Sequence, residues 1–245
     1  MAFEDIKGKS VPQTTFKLLK EGSLVEQSYD EIFNGKRVVI FALPGAYTPT
    51  CSSTHLPRYN ELSKVIKKQG IDDIYVLSVN DPFVMNAWAK DQSAENIKTI
   101  ADGNGDFSKG LGLLVDKTDL GFGKRSWRYS MVVNNGVVEK AFLEPDKPGD
   151  PFEVSDADTM LKYLNPEAHA PKSVTIFSRP GCPHCLRAKE IFTEKDINFN
   201  EIVLGRDTNN SSLFAITGQT KVPQIFIDGK HIGGREDLEK HYDIK

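Results

Sequence analysis

The sequence predicts an α/β protein of two domains, each a mixed β-sheet flanked by helices. Three observations predict it. Continuous apolar runs such as RVVIFAL (37–43) and DIYVLSVN (73–80) alternate with helix patterns, as in strands buried on both faces. Periodicity then stops over NPEAHAPKS (165–173), and a second compact set of strand and helix patterns follows. Finally, VVIFALPG (38–45) and VTIFSRPG (174–181) share V-x-I-F-x-x-P-G, each with a cysteine a few residues on. The two halves therefore repeat one strand–turn–helix layout.

After the strand at 37–43, residues 53–68 read as a helix that Pro57 kinks early. Following the strand at 73–80, Asp81 is an N-cap and Pro82 the first helical residue of a helix to 91. RYSMVVNNGVVEKAF (128–142) is a hairpin, because Asn135-Gly136 favours a type I′ turn between two β-rich runs. These elements form a domain over 1–165, with a linker at 166–172 and a second domain over 173–245. In the second domain strands are expected at 173–178 and 199–203, and helices at 184–195 and 208–216. A hairpin turned by Asp228-Gly229 spans 223–234, and REDLEKHY closes the chain as a helix.

Bulk properties narrow the function classes. The 245 residues are 39% hydrophobic and 27% charged with a net charge of -3, which gives no electrostatic case for nucleic acid or an anionic membrane. MAFEDIKGKSVPQTTF has no apolar signal core, and no apolar run approaches the ~18–20 residues of a membrane span, so the expected location is cytoplasmic. Three cysteines, an odd count with one CxxC, argue against a disulfide framework and for metal or redox chemistry.

The CxxC is Cys182-Pro-His-Cys185, placed at the opening of a helix. Free backbone N–H groups and the helix dipole there point positive potential at Cys182, which favours thiolate over thiol. Arg179 and His184 add to that potential, and Cys185 is within reach for an internal disulfide. Zinc would need a second ligand pair, which His231 and His241 do not supply, so no metal is expected.

SVTIFSRPGCPHC and KVPQIFIDGKHIGG resemble a glutaredoxin over about residues 173–245. The resemblance implies a thioredoxin-like fold that uses glutathione as reducing co-substrate, with no bound cofactor. Cys182 matches the family's nucleophile and Cys185 its partner. Arg179, Val222, Pro223, Gly233, Gly234 and the acidic Glu236 match positions that hold glutathione, Val222-Pro223 as a cis pair. Lys221 and Glu236 depart from the commoner Thr and Asp.

Cys51, in PGAYTPTC, stands alone. A thiol that attacks peroxide needs deprotonation, access and donors for the oxygens. Thr48 can place a hydroxyl by the sulfur, and Pro44 and Pro49 stiffen and shield the loop. The residues by themselves leave an inert packed cysteine as an equal alternative. PGAYTPTC also carries P-x-x-x-T-x-x-C, and with SSTHLP, WRYSMVVNNGVV and FLEPD it resembles the peroxiredoxin-5 subfamily over about residues 3–165. That resemblance implies a second thioredoxin-like domain, with Cys51 as peroxidatic cysteine and Pro44 and Thr48 as its loop partners. Arg128 matches the arginine that meets thiolate and peroxide. Arg125 is the nearby competitor, better suited to a surface turn, and His55 reads as a helix-packing or interface residue.

Some members of that subfamily carry a resolving cysteine late in the domain, but EPDKPGDPFEVSDAD (144–158) has none. The two resemblances together are those of a bacterial hybrid peroxiredoxin–glutaredoxin. They imply a glutathione-dependent peroxidase for hydrogen peroxide and alkyl hydroperoxides, in which Cys182 regenerates Cys51. Glutathione reductase is an indirect partner, and association into a homo-oligomer through the peroxiredoxin domain is expected.

Overall fold

The computed structural model describes residues 3–168, 172–195 and 197–244. The chain divides into two compact units, Met1–Ala170 and Pro171–Lys245. The expected linker, 166–172, includes residues 169–171, which lie outside the described residues.

In the first unit a hairpin of β1 (Phe16–Lys20) and β2 (Ser23–Gln27) leads into the short helix α1 (Tyr29–Phe33). Ser28 and Glu31 cap that helix reciprocally, satisfying two of its free N–H groups. Next come β3 (Arg37–Ala42), α2 (Leu56–Lys67), β4 (Asp73–Ser78), α3 (Pro82–Asp91), β5 (Lys98–Ala101) and α4 (Asp106–Gly110). A small hairpin, β6 (Leu114–Asp116) and β7 (Lys124–Ser126), precedes the larger one of β8 (Tyr129–Asn134) and β9 (Val137–Leu143). Helix α5 (Ala157–Leu164) closes the unit. Seven strands form one sheet in the order β2-β1-β5-β4-β3-β8-β9. Strands β3, β4 and β5 run parallel, and β8 runs antiparallel to β3.

Strand β3 is buried on both faces, as its unbroken apolar run requires. Val39 and Phe41 pack into one core layer with Leu56, Tyr59, Trp88 and Met160, from α2, α3 and α5. Val38, Ile40 and Ala42 enter the opposite layer with Ile32, Phe33 and Phe107. Phe41 and Tyr59 stack at 4.1 Å, a pair worth about 0.5–1.5 kcal/mol beyond its buried area. That stack ties β3 to α2, the two elements on either side of Cys51.

The helix expected over 53–68 begins earlier. Cys51–His55 forms a π-helical turn that runs into α2, with the Leu56 N–H bonded to the Cys51 carbonyl. Pro57, expected to kink the helix, stands where that π-helical turn passes into α2. It sits in the first turn of α2, where its missing N–H removes no α-helical hydrogen bond. The Asp81 cap is as expected, its carboxylate accepting from Phe83 and Val84 N–H. Asn135 and Gly136 both have positive φ, +47° and +78°, the requirement of the type I′ turn.

The second unit contains β10 (Val174–Ser178), α6 (Pro183–Glu194), β11 (Asn200–Val203), α7 (Asn210–Thr217), β12 (Gln224–Ile227), β13 (Lys230–Gly233) and α8 (Arg235–His241). Its sheet order is β11-β10-β12-β13, with β11 parallel and β12 antiparallel to β10. Val174 and Ile176 pack with Ile191, Phe192 and Leu238 of α6 and α8. Phe177 packs on the other face, with Leu213 of α7. Both units thus have the mixed, helix-flanked sheet of a thioredoxin-like fold.

Candidate active sites

Cys51 is fully buried in the turn that follows β3. Thr48 Oγ1 lies 2.9 Å from Cys51 Sγ and also 2.9 Å from the Gly45 carbonyl. A hydroxyl has one proton to give, so a negatively charged sulfur draws it from the carbonyl. A Cβ at Gly45 would sit 3.2 Å from Thr48 Cγ2, a tight contact with the methyl of the same side chain. Pro44 is buried while Pro49 is exposed, so the shielding expected of both falls to Pro44.

The cation arrives by sheet register. Ala42 pairs with Tyr129, which sets Arg128 just beyond the end of β3, beside the thiol loop. Arg128 is fully buried, and its Nη2 donates to Cys51 Sγ at 3.4 Å. Arg125 is turned elsewhere: its Nε donates to the Phe122 carbonyl at 2.8 Å and its Nη1 to the Val79 carbonyl at 2.7 Å. Of the two arginines, it is Arg128 that meets the Cys51 sulfur.

Two partners of Arg128 were not legible in the sequence. Asp150 accepts from Nε at 3.1 Å and from Nη2, making an ion pair with the buried guanidinium. His55 Nδ1 lies 3.0 Å from Nη1, and its Nε2 lies 3.2 Å from the Ser155 carbonyl. Burial, with the Arg128 charge as second cause, holds the His55 pKa down to about 3. His55 does pack, against Phe41, Tyr59 and Phe152, but it also bonds the arginine. Asp150 belongs to a strap that Glu144 anchors, accepting from the N–H groups of Glu153, Val154 and Ser155.

At the second centre Cys182 is the N-cap of α6, and its Sγ accepts from the Cys185 N–H at 3.2 Å. Cys182 is half-buried, with Sγ 3.8 Å from the Val222 carbonyl, and the Val222-Pro223 bond is cis. Cys185 lies buried, its pKa pushed up to about 12 by burial and then by the hydrogen bond with Cys182. A cavity of about 420 Å³ beside Cys182 is lined by Arg179, Cys185, Lys189, Glu201 and Arg206 among others. Arg179 itself is exposed and donates to Asn210 Oδ1 at 2.8 Å, and His184 is exposed.

The positions matched to glutathione contacts are gathered in part. Gly233 pairs with Ile225 in the sheet, and a Cβ at Gly234 would lie 3.6 Å from the Pro223 carbonyl. Glu236 stands apart, its side chain 76% exposed and 3.6 Å from Arg235. The carboxylate that meets this loop is Asp237, which accepts from the Gly234 N–H at 3.0 Å. Asp237 is the third residue of α8, where a carboxylate satisfies a free N–H, and that capping pattern was the signal available in the sequence.

A family model described as Redoxin matches residues 6–161, and one described as Glutaredoxin matches 174–232. Hybrid peroxiredoxin hyPrx5 of Haemophilus influenzae is 59% identical, over 97% of this chain and 98% of its own length. Peroxiredoxin-2D of Arabidopsis thaliana is 41% identical, over 64% of this chain and 96% of its own. Among solved structures, reduced Prx3 of Vibrio vulnificus in complex with hydrogen peroxide superposes with a TM-score of 0.61 at 45% identity, covering 66% of this chain and 99% of that one. No helix among the described residues is long and apolar enough to cross a membrane. The chain belongs to the redoxin family: it is a peroxiredoxin, a thiol peroxidase, carrying a glutaredoxin on the same polypeptide.

Proposed function

We propose that the chain is a glutathione-dependent peroxidase acting on hydrogen peroxide and alkyl hydroperoxides, with Cys51 and Cys182 in series. The observation that carries the reading is the inventory of thiols. Beyond Cys51 the chain has only Cys182 and Cys185, both on the glutaredoxin helix, so the peroxiredoxin unit holds no resolving cysteine.

The Cys51 thiolate attacks the peroxide O–O bond. An S–O bond forms, the O–O bond breaks, and the leaving oxygen takes a proton to depart as water or alcohol. Arg128 and Thr48 supply the donors for the charge that develops on the oxygens. The resulting sulfenic acid condenses with glutathione, releasing water and leaving a mixed disulfide on Cys51. Cys182 thiolate attacks the glutathione sulfur, freeing the Cys51 thiolate. A second glutathione then restores Cys182 and departs as oxidised glutathione, which glutathione reductase recycles.

Burial sets one further requirement. Cys51 has no exposed surface, so glutathione reaches its sulfur only when the π-helical turn that carries it opens. In this reading Arg179, Val222, Pro223, Gly233 and Gly234 hold glutathione at Cys182, with Glu236 at the edge of the loop. The enzyme acts in the cytoplasm as a homo-oligomer assembled through the peroxiredoxin unit. The trapping experiment uses the Cys182→Ser chain treated with peroxide and glutathione. Mass spectrometry should find one glutathione on Cys51; a Cys51 found only as sulfinic acid would reject the relay.

A further inference from the structure

We propose that Asp150 and His55 are positioning residues for peroxide reduction: together they fix the Arg128 guanidinium so that one edge faces Cys51 and the departing oxygen. The proposal rests on the reading of Cys51 as the thiol that attacks peroxide.

Proton accounting on Arg128 carries it. A guanidinium has five N–H donors in a rigid plane. Asp150 takes the Nε proton and one from Nη2, which fixes rotation of the plane from its side. His55 takes one proton from Nη1. An arginine cannot accept, so Nδ1 must be the acceptor, and the histidine proton resides on Nε2 facing the Ser155 carbonyl. The second Nη2 proton meets Cys51 Sγ. The second Nη1 proton has no hydrogen-bond partner among the described residues and is the donor left for a peroxide oxygen. Phe152 completes the clamp, its ring 5.4 Å from the guanidinium carbon and 4.8 Å from the His55 ring.

A counterion for a buried arginine could approach from any side, and mere neutralisation would not require a rigid support. Here the support is built. Lys117 Nζ donates to the Gly149 carbonyl at 2.7 Å, immediately before Asp150. Glu144, itself buried, accepts from three successive N–H groups and from the Ser155 hydroxyl on the other side. The same Ser155 carries the carbonyl that sets the His55 tautomer. The strap thus carries Asp150 itself and, through the Ser155 carbonyl, also holds the His55 ring that the π-helical turn brings to the guanidinium. As the S–O bond forms and the O–O bond breaks, charge grows on the leaving oxygen at one point in space, and a donor misplaced by about 1 Å costs on the order of 100-fold in rate.

The test separates positioning from general loosening. In full-length chains with Cys182 and Cys185 both changed to Ser, two second-order rates are measured at Cys51: oxidation by hydrogen peroxide in a single turnover, and alkylation by iodoacetamide. Both are read on the plateau of their pH profiles, where ionisation no longer limits. Asp150→Asn should slow oxidation on the order of 10- to 100-fold while alkylation changes by less than about twofold. Asp150→Glu, which restores a carboxylate, should recover part of the oxidation rate. Oxidation at the unsubstituted rate would overturn the proposal, and so would parallel loss of oxidation and alkylation. Should Asp150→Asn fail to fold, His55→Phe gives the same two readings, since the ring stays and the acceptor goes. If the parent chain is not oxidised at Cys51 at all, it is the assignment of Cys51 that fails.

Discussion

Cys51 and Cys182 each sit at the start of a helix that follows a strand, yet the two centres are assembled in opposite ways. Cys182 is half-buried and served by its own chain segment, the Cys185 N–H three residues on and the dipole of α6. Cys51 is fully buried and served by a guanidinium from 77 residues away, itself held by Asp150 and His55. The difference matches the tasks proposed for the two thiols. A thiol that exchanges disulfides must meet a bulky partner, so its activation is local and leaves the sulfur accessible. One that splits an O–O bond meets a small substrate and needs donors fixed around two oxygens, which only a closed site provides.

The comparison is broken most severely by removing the Cys51 sulfur. Cys51→Ser should abolish peroxide consumption, because Cys182 has neither the buried guanidinium nor the hydroxyl that serve Cys51; activity followed by peroxide loss would reveal any substitute. Next in size is the donor set. Arg128→Lys should slow Cys51 oxidation on the order of 100- to 1,000-fold, since an ammonium cannot reproduce the planar fork. Thr48→Val should cost roughly 10- to 100-fold, the worth of one hydrogen bond to a charged group. Both are read as single-turnover oxidation rates with glutathione absent.

At the open centre the expected effect is small. Cys185→Ser should retain most glutathione-supported turnover. Burial and its bond with Cys182 push the Cys185 thiol pKa up, which disfavours its thiolate, and the monothiol route does not use it. An inactive Cys185→Ser chain would place a Cys182–Cys185 disulfide on the main path instead.

The smallest effect concerns stability in acid. Buried His55 stays neutral down to about pH 3, whereas in the unfolded chain it gains a proton below about 6.5. In that window the unfolded state binds more protons, so stability is full above about pH 6.5 and falls as the pH drops. Urea midpoints at pH 7 and pH 5 should therefore diverge more for the unsubstituted chain than for His55→Asn. Equal pH sensitivity would mean the imidazole does not stay neutral.

What the sequence disclosed follows the same divide between local and long-range chemistry. Glycine turns at 135–136 and 228–229, the Asp81 cap and the CPHC helix start are set by neighbours within a few residues, and all stand as expected. The β1–β2 hairpin went unread because FKLLK and SLVEQ are short and largely solvent-facing, with a single buried side chain, Phe16. The π-helical turn went unread because Pro57 signals only that a helix is perturbed there, not how. Arg128 was reached through family resemblance. Its partners were not, because Asp150 is 22 residues away, His55 is 73 away, and only the folded strap brings them together.

The most direct measurement is steady-state peroxide reduction driven by glutathione, coupled to glutathione reductase and NADPH, on the unsubstituted and Cys182→Ser chains. The relay predicts sustained NADPH oxidation for the first chain. The second should consume peroxide once, at Cys51, and then stop. Equal sustained rates from both chains would show that glutathione reduces Cys51 without the glutaredoxin unit, and the account would be wrong.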